Sequence, residues 1–163
     1  MLYKNYLTII LPGLLFCAPA WLQAQTPAAP DPVKTANIAK VNQLLQQSGY
    51  NARKTGDSTW LLEYPATGRK ILAAAGRDFV VLGIVVAEKK NLKQSTELYY
   101  KLLKLNHSQD YVKIVLDDDD DVTVRSEVRS WLLDLRQIKA MVEDLNKSAV
   151  KIRQEITPFL ITP

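Results

Sequence analysis

The sequence predicts an α+β domain in which helices pack on an antiparallel sheet, in the order α-β-β-β-α-β-β-α. Two observations carry this prediction. Three β-prone segments, 59–64, 69–75 and 79–87, are separated only by short turns, as expected for antiparallel neighbours. Apolar residues at helical spacing lie before the first of these segments, after the third and near the end of the chain.

The first two helices are predicted from this spacing. Residues 34–47 place their apolar side chains on one helical face, and Ser48-Gly49 ends the helix. Residues 92–105 form the second helix, which is closed by a short polar segment. The alanine run at the end of segment 69–75 would equally suit a helix, so the prediction of a strand here depends on the turn residues around the segment.

The last three predicted elements are a hairpin and a long helix. Segments 111–117 and 121–125 pair across a turn of aspartates. Ser126 offers a hydroxyl that caps the helix after them. Apolar residues from Val128 to Ile156 recur at steps of three and four, which predicts a seam of about 28 residues, roughly 42 Å long.

The first 24 residues have the layout of a cleavable export signal. Lys4 is their only charged residue, an apolar run follows from Tyr6 to Ala18, and small residues come next. Cleavage after Ala20 and cleavage after Ala24 both fit, and we prefer the later site. Because the apolar run is short for a membrane anchor, we expect a periplasmic or secreted protein with no membrane span after cleavage.

The rest of the chain divides into a linker, one domain and a short tail. Residues 25–33 are proline-rich and predict an extended linker without helix or strand. Residues 34–157 form the single domain, and residues 158–163 are a C-terminal tail. The only cysteine, Cys17, lies in the predicted signal, so the domain has no thiol for a disulfide, a zinc site or a nucleophile. A lipoprotein acylated at Cys17 is disfavoured because bulky Phe16 precedes it.

Composition excludes one further class of partner. The chain is 47% hydrophobic and 23% charged, which is ordinary for a globular protein. Its net charge is +4, and the basic residues are interspersed with acidic ones. A small and dispersed excess of this kind predicts no nucleic-acid partner.

Five consecutive carboxylates, Asp117 to Asp121, are the most conspicuous candidate site. They could supply oxygen ligands to Ca²⁺. However, no glycine follows them, no glutamate stands at EF-hand spacing, and crowded like charges favour solvent. The preferred interpretation is a solvated turn with no structural role, and weak cation binding is the alternative.

The other polar candidates are also interpreted as structural. His107, the only histidine, has no second histidine or cysteine with which to bind a transition metal, and no serine or cysteine at a spacing known for nucleophilic catalysis. The remaining residues are interpreted as a helix-terminal residue in the left-handed conformation (Asn106), core or interface residues (Trp60 and Trp131) and a solvated basic loop (Lys89, Lys90 and Lys93). We therefore assign no catalytic, cofactor-binding or metal-binding residue, and we expect no cofactor.

The ordered set of elements resembles the YbjN-like family, which shares its fold with the type III secretion chaperones. The match covers about residues 36–156. It rests on the meander with turns at 65–68 and 76–78, on the leucine-rich helix end at Leu102 to Asn106, and on the hairpin 111–124 with its acidic turn before a long helix. The resemblance implies a type III secretion chaperone-like domain, often dimeric, that binds protein rather than turning over a substrate.

These observations predict a non-enzymatic exported binding module, chaperone-like, that recognises a protein partner. Two alternatives stay open: a metal-dependent enzyme built from Asp117–Asp121 and His107, and a structural subunit of an envelope assembly. A homodimer is predicted because segment 79–87 is apolar on both faces and the last helix has a long apolar seam. An equally consistent alternative is that the first helix covers the second face of the sheet.

Overall fold

The computed structural model describes residues 31–161. The predicted signal, most of the linker and the last two residues lie outside this range. The described elements are α1 (Pro32–Gln47), β1 (Arg53–Gly56), β2 (Thr59–Tyr64), β3 (Arg69–Ala75), β4 (Phe79–Ala87), α2 (Thr96–His107), β5 (Lys113–Leu116), β6 (Val122–Arg129) and α3 (Leu135–Glu155), with short 3₁₀ turns at 89–91, 130–132 and 157–159. The predicted α+β class is confirmed.

The strands form a six-stranded antiparallel sheet in the order β1-β2-β3-β4-β6-β5. The predicted bounds of β2, β3 and β4 are confirmed. β1 is an additional strand that the sequence did not indicate. Its four residues are polar or glycine and all exposed, so it has no apolar alternation, and it pairs with β2 only at the edge of the sheet.

The helices described lie on one face of the sheet. α3 packs across β4 and β6, α1 packs against α3 and β3, and α2 packs against β5. The α1 contact explains the alanine run of β3, because Ala73 and Ala75 point toward the helices and their small side chains allow close approach. One apolar core lies between the helices and this face, which we call the covered face.

α1 begins earlier than predicted. The Asp31 carboxylate accepts the backbone N–H groups of Val33 (2.9 Å) and Lys34 (3.3 Å), which caps the helix. Pro32 occupies the first turn, where a missing N–H costs no intrahelical hydrogen bond. The prediction that residues 25–33 contain no helix is therefore wrong for the end of that segment.

The predicted start of the last helix is also wrong. Ser126 lies in β6, where its buried hydroxyl donates to the carbonyl oxygen of Tyr111 (3.2 Å). The cap is Asp134, whose carboxylate accepts the N–H of Gln137 (2.6 Å). Because β6 runs on to Arg129, α3 has 21 residues and is about 32 Å long. The seam is correspondingly shorter than the sequence suggested.

α2 shows a smaller shift. It starts at Thr96, four residues later than predicted, because the Ser95 hydroxyl accepts the N–H of Leu98 (3.2 Å) and caps the helix there. Leu92, which was expected to open the helix, is buried and forms an isolated bridge with Leu160.

Candidate protein-binding surface

The two faces of the central strand differ in what covers them. In β4, Val80, Leu82, Ile84 and Val86 are buried beneath the helices, whereas Phe79, Val81, Gly83 and Val85 alternate onto the opposite side. None of the described helices lies on this opposite side of the sheet, and we call this side the open face. The alternative that the first helix covers the second face is thus wrong, because α1 lies beside α3 on the covered face.

The middle of the open face is an apolar groove. The strand register places Leu72 opposite Gly83, and Ala74 opposite Val81. Leu72 and Val85 are each 53% exposed, which is unusual for large aliphatic side chains in strands. The groove has a volume of about 540 Å³ and includes Val115 and Thr123. Contiguous exposed apolar surface of this kind marks interaction sites.

Charged side chains flank the apolar middle of the open face, and on the β6 side they stand directly beside β4. On the β2–β3 side, Lys70 pairs with Glu63. On the β5–β6 side, Glu127 accepts Arg125 (2.6 Å) and Lys113 (3.3 Å). Lys70 and Glu63 neutralise each other, whereas Glu127 offsets only one of its two cationic partners. The floor between the two groups is available to apolar side chains.

An aromatic cluster ends the open face near the start of β4. The Arg129 guanidinium lies 4.0 Å from the ring centre of Phe79 and 5.3 Å from that of Trp131. Trp131 is 65% exposed, so it is not a core residue, and its predicted interface role stays a prediction. Trp60 is fully buried, as predicted, and its indole N–H donates to Asn42 Oδ1 (3.0 Å).

A second exposed apolar surface, the α2–β5 patch, consists of Tyr99, Leu103 and Leu116 around a groove of about 370 Å³. Leu103 is 69% exposed. Asn106 lies beside the patch inside α2, and its Oδ1 accepts the N–H of Ile114 (3.0 Å). The left-handed conformation predicted for Asn106 is wrong, because its φ is not positive. Its side chain instead joins the last turn of α2 to the edge strand.

The aspartates form a turn between β5 and β6, as predicted. Asp117 organises this turn: its Oδ1 accepts the N–H groups of Asp119 (3.1 Å) and Asp121 (2.9 Å), and its Oδ2 accepts the Thr123 hydroxyl (3.0 Å). The expectation of no structural role is therefore wrong for Asp117.

The same turn is tied to the loop after β4. Asp121 Oδ1 accepts the N–H of Lys89 (2.7 Å), and the Lys89 ammonium donates to Asp120 (2.7 Å). The hydrogen bond to Asp120 raises the pKa of Lys89 above its ordinary value. Lys90 pairs with Glu88, so the predicted basic loop is partly neutralised by acidic neighbours.

The groups considered for an enzyme site do not converge in the described part of the chain. His107 is exposed in the last turn of α2, and none of the hydrogen bonds found among residues 31–161 joins it to the aspartates. Within the same residues, no group of three or more histidine, cysteine, aspartate or glutamate side chains is arranged to hold a metal ion. Among the helices described, none is long and apolar enough to cross a membrane.

Sequence comparison gives no relatives: no protein-family model matches the chain, and no curated protein matches it. Structural comparison does find similar proteins. The heterodimeric ExoU–SpcU complex from the type III secretion system of Pseudomonas aeruginosa contains a chain with TM-score 0.55 and 17% identity. The match covers 72% of this chain and 98% of that one.

Two further solved structures are similar. The Yersinia pestis type III secretion chaperone SycH, in complex with a stable fragment of YscM2, matches at TM-score 0.52 and 16% identity, over 71% of this chain and 98% of that one. A chain of the ExsC–ExsE complex matches at TM-score 0.58 and 17% identity, over 73% of this chain and 95% of that one. The sheet, its strand order and the helices that cover one side therefore form a type III secretion chaperone-like fold.

Proposed function

We propose that this chain is a non-enzymatic, exported binding module that holds an extended segment of a protein partner on its open face. The observation that carries the proposal is the uncovered apolar groove between Leu72 and Val85. Its lining is mainly apolar, and its charged residues stand on the β5–β6 side, where Arg125 pairs with Glu127 and Asp117 belongs to the turn. Such a surface suits apolar side chains of a polypeptide, with polar contacts at its margins.

The comparisons support the same proposal. The similar structures from Pseudomonas and Yersinia are complexes of two proteins. We infer the same kind of activity here, and we infer that the chain is YbjN-like. Export is part of the proposal because Lys4, the apolar run and the small residues before Gln25 have the layout of a signal.

The test compares two valine-to-lysine variants of the mature chain. Val85→Lys introduces a charge into the open face, whereas Val150→Lys makes the same change at an exposed position of α3. A photoreactive residue at Leu72 reports contacts in the native envelope. We expect Val85→Lys to abolish the Leu72 cross-link to its partner and Val150→Lys to preserve it. Equal cross-linking in the two lysine variants would contradict the proposal. The absence of any cross-link from Leu72 in the chain without a lysine substitution would also contradict it.

We also propose that the module is a homodimer, formed through the α2–β5 patch rather than through the seam of α3. β5 is the edge strand of the sheet, and Leu103 and Leu116 expose apolar surface beside it. A two-fold axis at this edge would bring each patch against its own copy. Leu103→Lys should convert the dimer to a monomer in sedimentation, and Val150→Lys should leave it dimeric. A native chain that sediments as a monomer at high micromolar concentration would refute the dimer.

A further inference from the structure

The start of the described chain lies at the turn between β3 and β4, at one end of the sheet. Asp31 pairs with Arg77 in the turn between β3 and β4 (3.4 Å), and Asn37 donates to the Arg77 carbonyl oxygen. Phe79, two residues after Arg77, is the first residue of β4 on the open face. The 30 residues before Asp31 therefore join the domain beside this apolar surface.

The composition of those residues suits the groove. Lys4 is the only charged residue among them, and Tyr6 to Ala18 is almost wholly apolar. Placing this run on the floor between Leu72 and Val85 would bury apolar surface on both sides, and the run itself would bring no charge against Arg125, which pairs with Glu127 at the groove's wall.

The segment before Asp31 is also long enough for its apolar run to reach the groove. Cys17 lies 14 positions before Asp31, and an extended chain of that length spans up to about 48 Å. The open-face side chains from Phe79 to Val85 extend over only about 20 Å. The apolar run thus reaches the whole groove, and covalent attachment raises its effective concentration far above that of a free partner or a second copy.

We propose that, before cleavage, the apolar run of residues 6–18 occupies the open face of its own domain and blocks partner binding. Removal of residues 1–24 then exposes the groove, so cleavage activates the module. This inference rests on the open face being the docking surface of the proposed function.

The single native cysteine provides the test. The full chain is made in a membrane-free translation system, so that residues 1–24 are retained, and Val85→Cys, Leu72→Cys, Leu103→Cys and Val150→Cys are compared under mild oxidation. Leu103 represents the competing apolar patch, and Val150 represents exposed helix surface. All four variants share the same tether to Cys17, and the two control variants measure the rate of disulfide formation without docking.

We expect the Val85→Cys and Leu72→Cys variants to form an intramolecular disulfide with Cys17 about tenfold faster than the two control variants, because docking raises the local thiol concentration. The product keeps the monomer mass on a non-reducing gel and loses two free thiols. Equal rates in all four variants, a faster intramolecular rate in Leu103→Cys, or a product of doubled mass in Val85→Cys or Leu72→Cys would overturn the inference. Binding by the mature chain is measured separately, so failure here is distinguishable from failure of the proposed function.

Discussion

The two faces of the sheet are built from the same strands but differ in what they do. On the covered face, Leu82 and its neighbours are fully buried beneath α1 and α3. On the open face, Leu72 and Val85 stand half exposed around a groove. Apolar residues on both sides of a strand therefore show that both faces favour burial. They do not show which face the chain covers with its own helices.

A matched pair of leucine substitutions tests this difference most directly. Leu82→Ala should lower the free energy of unfolding by about 3 kcal/mol, because it leaves a cavity in a close-packed core. Leu72→Ala, in the neighbouring strand, should cost less than about 1 kcal/mol, because half of its side chain is already in water. Urea unfolding measures both. Equal losses would mean that the open face is covered in the free protein.

Substitutions at two neighbouring positions of the aspartate turn should differ in their effect on the stability of the protein. Asp117→Ala removes three hydrogen bonds that shape the turn and should cost about 2 kcal/mol. Asp118→Ala, in the same exposed run, should be neutral, because removal of a like charge offsets any loss. Thermal melting distinguishes them, and a chelator should change neither transition. Comparable destabilisation by both substitutions would contradict the structure.

The connection between α2 and β5 should contribute less than the core. Asn106→Ala leaves the Ile114 N–H without its acceptor and should cost about 1 kcal/mol. His107→Ala, at the exposed neighbouring position, serves as the control and should leave unfolding unchanged. Hydrogen exchange at Ile114 reports the contact itself, and unchanged protection in Asn106→Ala would argue against it.

The smallest effect is expected at a surface ion pair between α2 and α3. Lys101 donates to Glu155 (2.5 Å), and this hydrogen bond lowers the pKa of Glu155 below its ordinary value of 4.5. A carboxyl group with a lowered pKa stabilises the fold above its ordinary range and loses that contribution as the pH falls through the lowered pKa. Glu155→Gln should therefore melt slightly lower than wild type at pH 7 and equal to it in strong acid. A pH-independent difference would contradict this origin.

The sequence was sufficient for the fold but not for several boundaries. β2, β3 and β4 were predictable because turn residues bracket strongly β-prone segments. Ser126 was mistaken for a helix cap because the apolar positions before Leu135 continue the helical spacing by coincidence. Asp134, which caps α3, lies eight residues after Ser126 and is also a residue type that favours helix N-termini. β1 has only polar residues and glycine, so its pairing depends on β2 and gives no local pattern.

The candidate surface was partly predictable. Segment 79–87 does not alternate apolar and polar residues, which indicates that both faces of the strand are apolar, and this holds in the structure. Which face the helices choose depends on packing between distant elements, such as Ala73 beneath α1. The role of Asn106 depends on a contact with a strand residue eight positions away, which the leucine-rich helix end does not indicate.

The position of β6 between β4 and β5 has a consequence for folding. β4 pairs with residues that are 35 to 50 positions later in the sequence, so its second edge stays open until α2 and the aspartate turn have been made. Long-range pairing of this kind is slow, because loop closure must precede the contacts that stabilise it. The meander from β1 to β4 would meanwhile present two apolar faces without a completed sheet. The pairing of the central strand is therefore completed only when β6 has been made as far as Arg129.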